Sequence, residues 1–95
     1  MIRTTNENIA YYWRKNQAAT NGRQCYTTDG KDLYSYQLKI GTTNAQGEKV
    51  LFDYTANGIK YYSQTTSCHV GKSRQYADWI QVNEVELKAN KALHI

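Results

Sequence analysis

Between Asp29 and Tyr54 the chain twice alternates large apolar with polar residues, and this period of two fixes its fold class. Tyr34, Tyr36, Leu38 and Ile40 fall on one side of an extended strand, Ser35, Gln37 and Lys39 on the other. Val50, Phe52 and Tyr54 repeat the pattern, with Asp53 and Thr55 turned outward. A sheet built this way has one buried and one wet face. Asp29-Gly30 is a strong two-residue hairpin signal, and a turn centred there pairs Cys25 with Tyr34 and Arg23 with Tyr36. An odd-length connection through Gly41 to Gly47 sets Ile40 opposite Val50 and Leu38 opposite Phe52, so the apolar faces coincide. A turn at Gly58 then leads to a fourth short strand over 59–63.

Helical periods flank this pattern. Thr4-Thr5-Asn6-Glu7 has the form of a capping box, with the Thr4 hydroxyl over the first turn and Glu7 reaching back. Ile9, Tyr12, Trp13 and Asn16 follow at helical spacing, Arg14 and Lys15 fall off the stripe toward solvent, and Asn21-Gly22 tolerates a left-handed cap. The spacing predicts a helix over about 5–20. A second helix is predicted over about 66–80, capped by a hydroxyl of Thr65, Thr66 or Ser67. Val70, Ala77 and Ile80 lie near one of its faces, and His69, Lys72, Tyr76 and Trp79 share a neighbouring one, while Gly71 weakens the first turn. In the tail, 82–95, Val82, Val85, Ala89 and Ala92 suit a helix whereas Val85 and Leu87 suit a strand; the helix is favoured. The expected architecture is a single α+β domain over 1–95. An antiparallel β-meander of three to four strands at about 23–63 carries helices on one face, in the order α-β-β-β-(β)-α.

Ninety-five residues hold one core, near the lower end of what folds without a metal or disulfide staple. Nine tyrosines, two tryptophans and one phenylalanine carry much of it, and because a tyrosine hydroxyl needs a partner, half-buried rings are expected at the surface. No proline and only six glycines argue against disorder. A net charge of +4 mildly favours acidic partners, such as nucleic acid or an acidic protein face. Cys25 and Cys68 allow one disulfide, but with no signal peptide both are expected reduced. No apolar run approaches the ~20 residues of a membrane span, so the chain is expected to be soluble and intracellular.

The functional candidates concentrate in 62–74, Tyr-Ser-Gln-Thr-Thr-Ser-Cys-His-Val-Gly-Lys-Ser-Arg. Thr65, Thr66 and Ser67 offer donors beside the free N–H groups of a helix start, and His69, Lys72 and Arg74 add positive potential. Together they suit a phosphate or carboxylate; the same residues serve equally as a good cap with solvated cations. Tyr61 and Tyr62 cannot both face inward on a strand, so one is exposed for base stacking or for anchoring a partner. An aromatic patch of Tyr61, Tyr62, Tyr76 and Trp79 is the corresponding protein-binding candidate.

Catalytic and metal patterns fare worse. Cys25, Cys68, His69 and His94 form no C-x-x-C or H-x-x-x-H pair, and adjacent Cys68 and His69 diverge on a helix, so no metal site is expected. Pairing Cys25 with His69 as nucleophile and base conflicts with placing Cys25 on the core face beside Tyr34, where a thiol is ordinary packing. Gly71-Lys72-Ser73 lacks the upstream glycine of a P-loop, and Glu84 and Glu86 diverge on a helix. No enzyme activity and no cofactor are expected.

Thr27-Thr28-Asp29-Gly30, Leu33-Tyr34-Ser35-Tyr36 and the later Tyr62 to His69 run, followed by Arg74, resemble a group of short proteins encoded by phages and other prokaryotic viruses. The likeness covers about the middle half of the chain. It implies a phage origin and the cytoplasm of an infected prokaryotic host, and carries no activity with it. More loosely, the order α-β-β-β-α is similar to the double-stranded-RNA-binding domain, where Lys72 and Arg74 fall at the phosphate-facing start of the last helix, although the Lys-Lys-x-Ala-Lys run is missing. Phage integrase arm-binding domains, with a three-stranded sheet beside a helix, offer a DNA counterpart. The leading expectation is a small accessory protein that binds nucleic acid through Lys72, Arg74 and the hydroxyls of 65–67. The alternatives are an inhibitor of a host enzyme or defence system and a homo-oligomeric structural component, both using the aromatic patch.

Overall fold

Eight short strands lie side by side in chain order in one sheet, and two helices cover one of its faces. The computed structural model describes residues 1–55, 62–82 and 86–89. The order is β1 (Ile2–Arg3), α1 (Asn6–Arg14), β2 (Ala18–Thr20), β3 (Tyr26–Asp29), β4 (Leu33–Ser35), β5 (Leu38–Thr43), β6 (Lys49–Phe52), α2 (Gln64–Ser73), a 3-10 turn (Arg74–Tyr76), β7 (Trp79–Gln81) and β8 (Leu87–Ala89). Strands β2 to β6 form an antiparallel meander, whereas β1 pairs parallel with β2 and β6 parallel with β7. Each parallel pair is bridged by a helix, as a crossover requires. Because β2 and β6 run the same way and both crossovers step the same way along the sheet, right-handed connections place α1 and α2 on the same face. The chain is α+β, but its sheet is larger and more mixed than a three- to four-stranded meander. It is also not the α-β-β-β-α order of the double-stranded-RNA-binding domain.

The first helix is shorter than its spacing suggests. Lys15 is its C-cap and Asn16 takes a left-handed φ of 59°. The Gln17 N–H reaches Tyr12 O at 2.9 Å and the Asn16 N–H reaches Trp13 O at 3.1 Å, the two bonds of a Schellman stop. Asn16 thus ends the helix instead of extending its stripe, and the chain beyond becomes β2, ahead of the expected Asn21-Gly22 cap. The capping box does not form. Thr5 is the N-cap without a side-chain cap, the Thr4 N–H is spent on Thr20 O, and Thr4 Oγ1 accepts from Asn8 Nδ2. Arg14, expected in solvent, is half-buried and pairs with Asp78 at 2.7 Å.

Register is the larger correction. The β3–β4 turn runs over Gly30, Lys31 and Asp32, so Tyr26 faces Ser35 and Thr28 faces Leu33, in place of Cys25 with Tyr34 and Arg23 with Tyr36. Thr28 and Asp29 set this longer turn: Thr28 Oγ1 accepts from the Gly30 N–H and donates to Asp32 O, and Asp29 Oδ1 takes the N–H groups of Lys31 and Asp32. This two-residue shift alone reverses no face; separately, Leu33 and Ser35 turn inward with Tyr26 and Thr28, and Tyr34 and Tyr36 outward, opposite to expectation. The predicted continuous strand is broken into a hairpin at Tyr36 and Gln37. On the next hairpin Thr42 faces Val50 and Gly41 faces Leu51, so Ile40 does not meet Val50. Asp53, expected outside, is buried against Arg74.

One hydrophobic cluster joins the layers: Ile9, Ala10 and Trp13 of α1, Val70 of α2, and Ala19, Tyr26, Leu33, Ile40, Leu51 and Ile80 of the strands. Trp13 lies close enough to Gly41 that a Cβ there would stand 2.9 Å from its ring, and its indole N–H donates to Lys31 O. The second helix starts two residues early, at Gln64, because Ser63 caps it, accepting from the Thr66 N–H at 3.1 Å; none of Thr65, Thr66 or Ser67 is the cap. It ends at Ser73, so Trp79 and Ile80 belong to β7. The tail expectation is overturned where it is described, since Leu87–Ala89 is a strand. Gly58, most of the proposed 59–63 strand, Val85, His94 and Tyr61 lie outside the described residues. Among the described residues no helix is long and apolar enough to cross a membrane.

Candidate ligand-binding cleft

The start of α2 is where the sequence concentrates donors and cations, and most of these groups are already engaged. Lys72 pairs with Glu7 of α1 at 3.2 Å and Arg74 with Asp53 at 2.9 Å. Thr66 is buried, its Oγ1 accepting from Ser63 and bonded to Ser35. Ser67 is half-buried, and Cys68 and Thr65 are exposed. His69 points the other way from Cys68, into the protein, with 2% of its surface exposed. The aromatic candidates are dispersed: Tyr62 packs edge-on against Tyr54, Tyr76 against Tyr11, and Trp79 is half-buried in β7. Both cysteines are unpaired, and among the described residues no cluster of three metal-ligating side chains occurs.

What α2 does offer, it offers to a neighbouring cleft of about 610 Å³. One wall is the start of α1, Thr4, Thr5 and Asn6; a second is the turn after β2, with Asn21, Gly22, Arg23 and Cys25. Tyr36 from the β4–β5 turn and Thr65 and His69 from α2 close it. The N-terminal ends of both helices therefore border one cavity, and that of α1 has no side-chain cap. None of these lining residues is acidic. Arg23 is exposed and, among the described residues, has no ion-pair partner.

The turn carrying Arg23 is well braced. Asn21 is buried, its Oδ1 accepting the N–H groups of Cys25 and Tyr26, and its Nδ2 donating to Asn6 Oδ1 at 2.7 Å and to Cys25 Sγ at 3.3 Å. This network, not core packing, holds Cys25 half-buried at the cleft. Opposite it, the Tyr36 N–H donates to Cys25 O at 2.8 Å, which fixes the β4–β5 turn over the cavity. Tyr36 is 56% exposed and takes a φ of 57° at the first position of a two-residue turn, where glycine is usual.

His69 forms the floor. Its ring stacks on Tyr26 at 4.3 Å with planes 10° apart and lies 6.3 Å from the Tyr36 ring. Burial, with Lys72 adding to it, holds its pKa below the ordinary histidine value, so it is neutral at pH 7. A chain of hydroxyls reaches the ring. Ser63 donates to Thr66, Thr66 Oγ1 lies 3.1 Å from Ser35 Oγ, and Ser35 Oγ lies 2.7 Å from His69 Nδ1. When Ser35 donates to Nδ1 the other nitrogen, Nε2, carries the hydrogen, and among the described residues it has no partner. Since no buried polar atom is left unpaired, Nε2 must reach the cleft. A neutral imidazole with its hydrogen on the cleft side donates and does not abstract protons. Nor does a hydrogen bond join it to Cys25 Sγ. The site is therefore equipped to hold an acceptor-rich ligand.

A second polar centre escaped the sequence reading. Lys49 is 1% exposed, and its Nζ donates to Asn16 Oδ1 (2.8 Å), Gly30 O (3.1 Å) and Thr43 Oγ1 (2.6 Å) beside the Trp13 ring. All three ammonium hydrogens are used, so it is a structural knot. Of the cleft residues, only Thr65 and His69 were foreseen. Arg23 and Tyr36 sat in the expected hairpin, where a wrong register hid them, and Asn21 was read as the cap of the first helix. The legible signal was Asn21-Gly22-Arg23, a turn sequence carrying a cation. Compared with protein-family models, curated proteins and solved structures, the chain has no match.

Proposed function

We propose that the protein acts by binding nucleic acid, and that the contact is this cleft, with the isolated start of α2 contributing only Thr65 and His69. The observation that carries the reading is the convergence of two helix N-termini, an Arg23 with no ion-pair partner among the described residues, and the exposed Tyr36 ring around a cavity with no acidic lining residue. Phosphate is the anion that helix starts and an arginine fork receive best, and an exposed aromatic face receives a base. The net charge of +4 supplies the long-range attraction.

The test is fluorescence anisotropy with a labelled oligonucleotide across a salt series. Affinity falls as salt rises, and Arg23→Ala weakens it and flattens the slope by about one phosphate contact. Affinity unaffected by Arg23→Ala would remove the cleft from the reading, and an absence of binding at low salt would remove the reading itself.

A further inference from the structure

Resting on that reading, we infer that the cleft takes one unstacked nucleotide of a single strand, its base on the Tyr36 ring and its acceptor edge on His69 Nε2–H. Three observations carry this beyond general phosphate binding. The cavity, about 610 Å³, has the scale of one nucleotide and not of a duplex groove contact. A base kept inside a duplex offers no face to a ring, so an exposed tyrosine plate is of use only to an unstacked base. And the Tyr36 ring, held out in solvent, stands 6.3 Å from a 98%-buried imidazole whose cleft-side hydrogen has no acceptor among the described residues.

The arrangement divides the labour. The start of α1 and Arg23 receive the phosphate, Tyr36 stacks on the base, and His69 donates to its edge. The hydroxyl chain Ser63–Thr66–Ser35 keeps that donor in place by occupying Nδ1. Because the imidazole is neutral at pH 7, it reads an acceptor without attracting a second phosphate. Every base has a face and an acceptor, so the site selects strandedness and not sequence.

Anisotropy titrations with an oligothymidylate of about ten nucleotides and with a blunt hairpin of matched charge test this directly. The single strand is expected to bind at least about tenfold more tightly. Tyr36→Asn, which suits the left-handed backbone and so keeps the turn, should reduce single-strand affinity about 5- to 150-fold, the range of one stacking contact, while leaving hairpin affinity unchanged. Tyr36→Phe should retain it. Equal affinity for strand and hairpin, or a Tyr36→Asn variant that binds the strand like the parent, overturns the single-nucleotide inference and leaves Arg23-dependent nucleic-acid binding standing. Loss of Arg23 dependence for both probes overturns the underlying reading as well.

Discussion

Replacing Lys49 by methionine separates a buried cation that holds the fold together from one that is merely tolerated. The side chains are similar in length, so packing beside Trp13 is largely kept and the change falls on the amine. Three acceptors lose their donor. Asn16 is exposed and recovers a water; Thr43 Oγ1 is half-buried and still donates to Lys31 O at 2.8 Å. Gly30 is buried, so its carbonyl bears the loss, about 1–3 kcal/mol for a stranded buried acceptor. The charge-assisted bonds add to this, and relief from holding an ammonium out of water subtracts. The expected net cost near pH 7 is about 1–3 kcal/mol, which for a domain of this size lowers Tm by roughly 5–20 °C.

The pH dependence supplies the decisive sign. Burial, followed by the neighbouring Arg14 charge, holds the Lys49 pKa below the ordinary 10.5. As pH rises through the depressed value the folded protein releases this proton before the unfolded chain does, so Lys49's contribution to stability grows up to about 10.5. The parent-minus-variant difference in urea unfolding free energy should therefore be larger at pH 10 than at pH 7, other titrations cancelling. A Lys49→Met protein within about 0.5 kcal/mol of the parent at both pH values, or a gap that narrows with pH, would refute the assignment of the amine to this knot.

Three further outcomes follow from the geometry. Ser63→Ala removes the cap of α2 and should cost about 0.5–2 kcal/mol by denaturant midpoint, whereas Ser67→Ala should cost less than about 0.5 kcal/mol, reversing the ranking expected from sequence. His69, with a folded pKa depressed below 6.5, contributes stability that is present above pH 6.5 and lost as pH falls through the lower folded value; the slope should vanish in His69→Gln, and urea midpoints across that interval measure it. Arg74→Ala should leave oligonucleotide affinity within about twofold of the parent, since its guanidinium is held by Asp53, and anisotropy beside Arg23→Ala makes the comparison.

The class of the fold was legible because alternation over Leu33 to Phe52 is a sheet signal that neighbours cannot disguise. Register was not. Asp29-Gly30 invites a turn centred there, but Thr28 and Asp29 use their side chains to shift the register by two residues, and the inward pair is Tyr26 with Ser35, which leaves Tyr36 outside. The outer strands were also hidden. Ile2–Arg3, Ala18–Thr20 and Leu87–Ala89 are two or three residues long, too short for any period, and exist only because a neighbour pairs with them. Similarly, Lys72 and Arg74 read as free cations because their partners, Glu7 and Asp53, lie 65 and 21 residues away along the chain. Of the hydroxyls singled out at the start of α2, Thr66 acts inward, through Ser35 toward His69, while Thr65 is exposed at the cleft.

Local rules are broken where the proposed ligand sits, and the breaks are informative because packing does not repay them. Among the described residues, three other than glycine take a positive φ: Asn16, Gln24 and Tyr36. Asn16 is explained by the helix stop it makes. Gln24 lies between Arg23 and Cys25 in the cleft wall, and Tyr36 stands opposite. A bulky ring in this region costs about 1–3 kcal/mol unless its surroundings compensate, and a ring left 56% in solvent gains little by burial. Asparagine or glycine at position 36 would give the turn at lower cost. Stability alone does not select this tyrosine. His69 belongs beside it, a mostly buried ring whose Nε2 opens onto the cleft and, among the described residues, has no protein partner. Both residues face one cavity, and an acceptor-bearing ring between them, as proposed, would bond His69 and cover the ring of Tyr36.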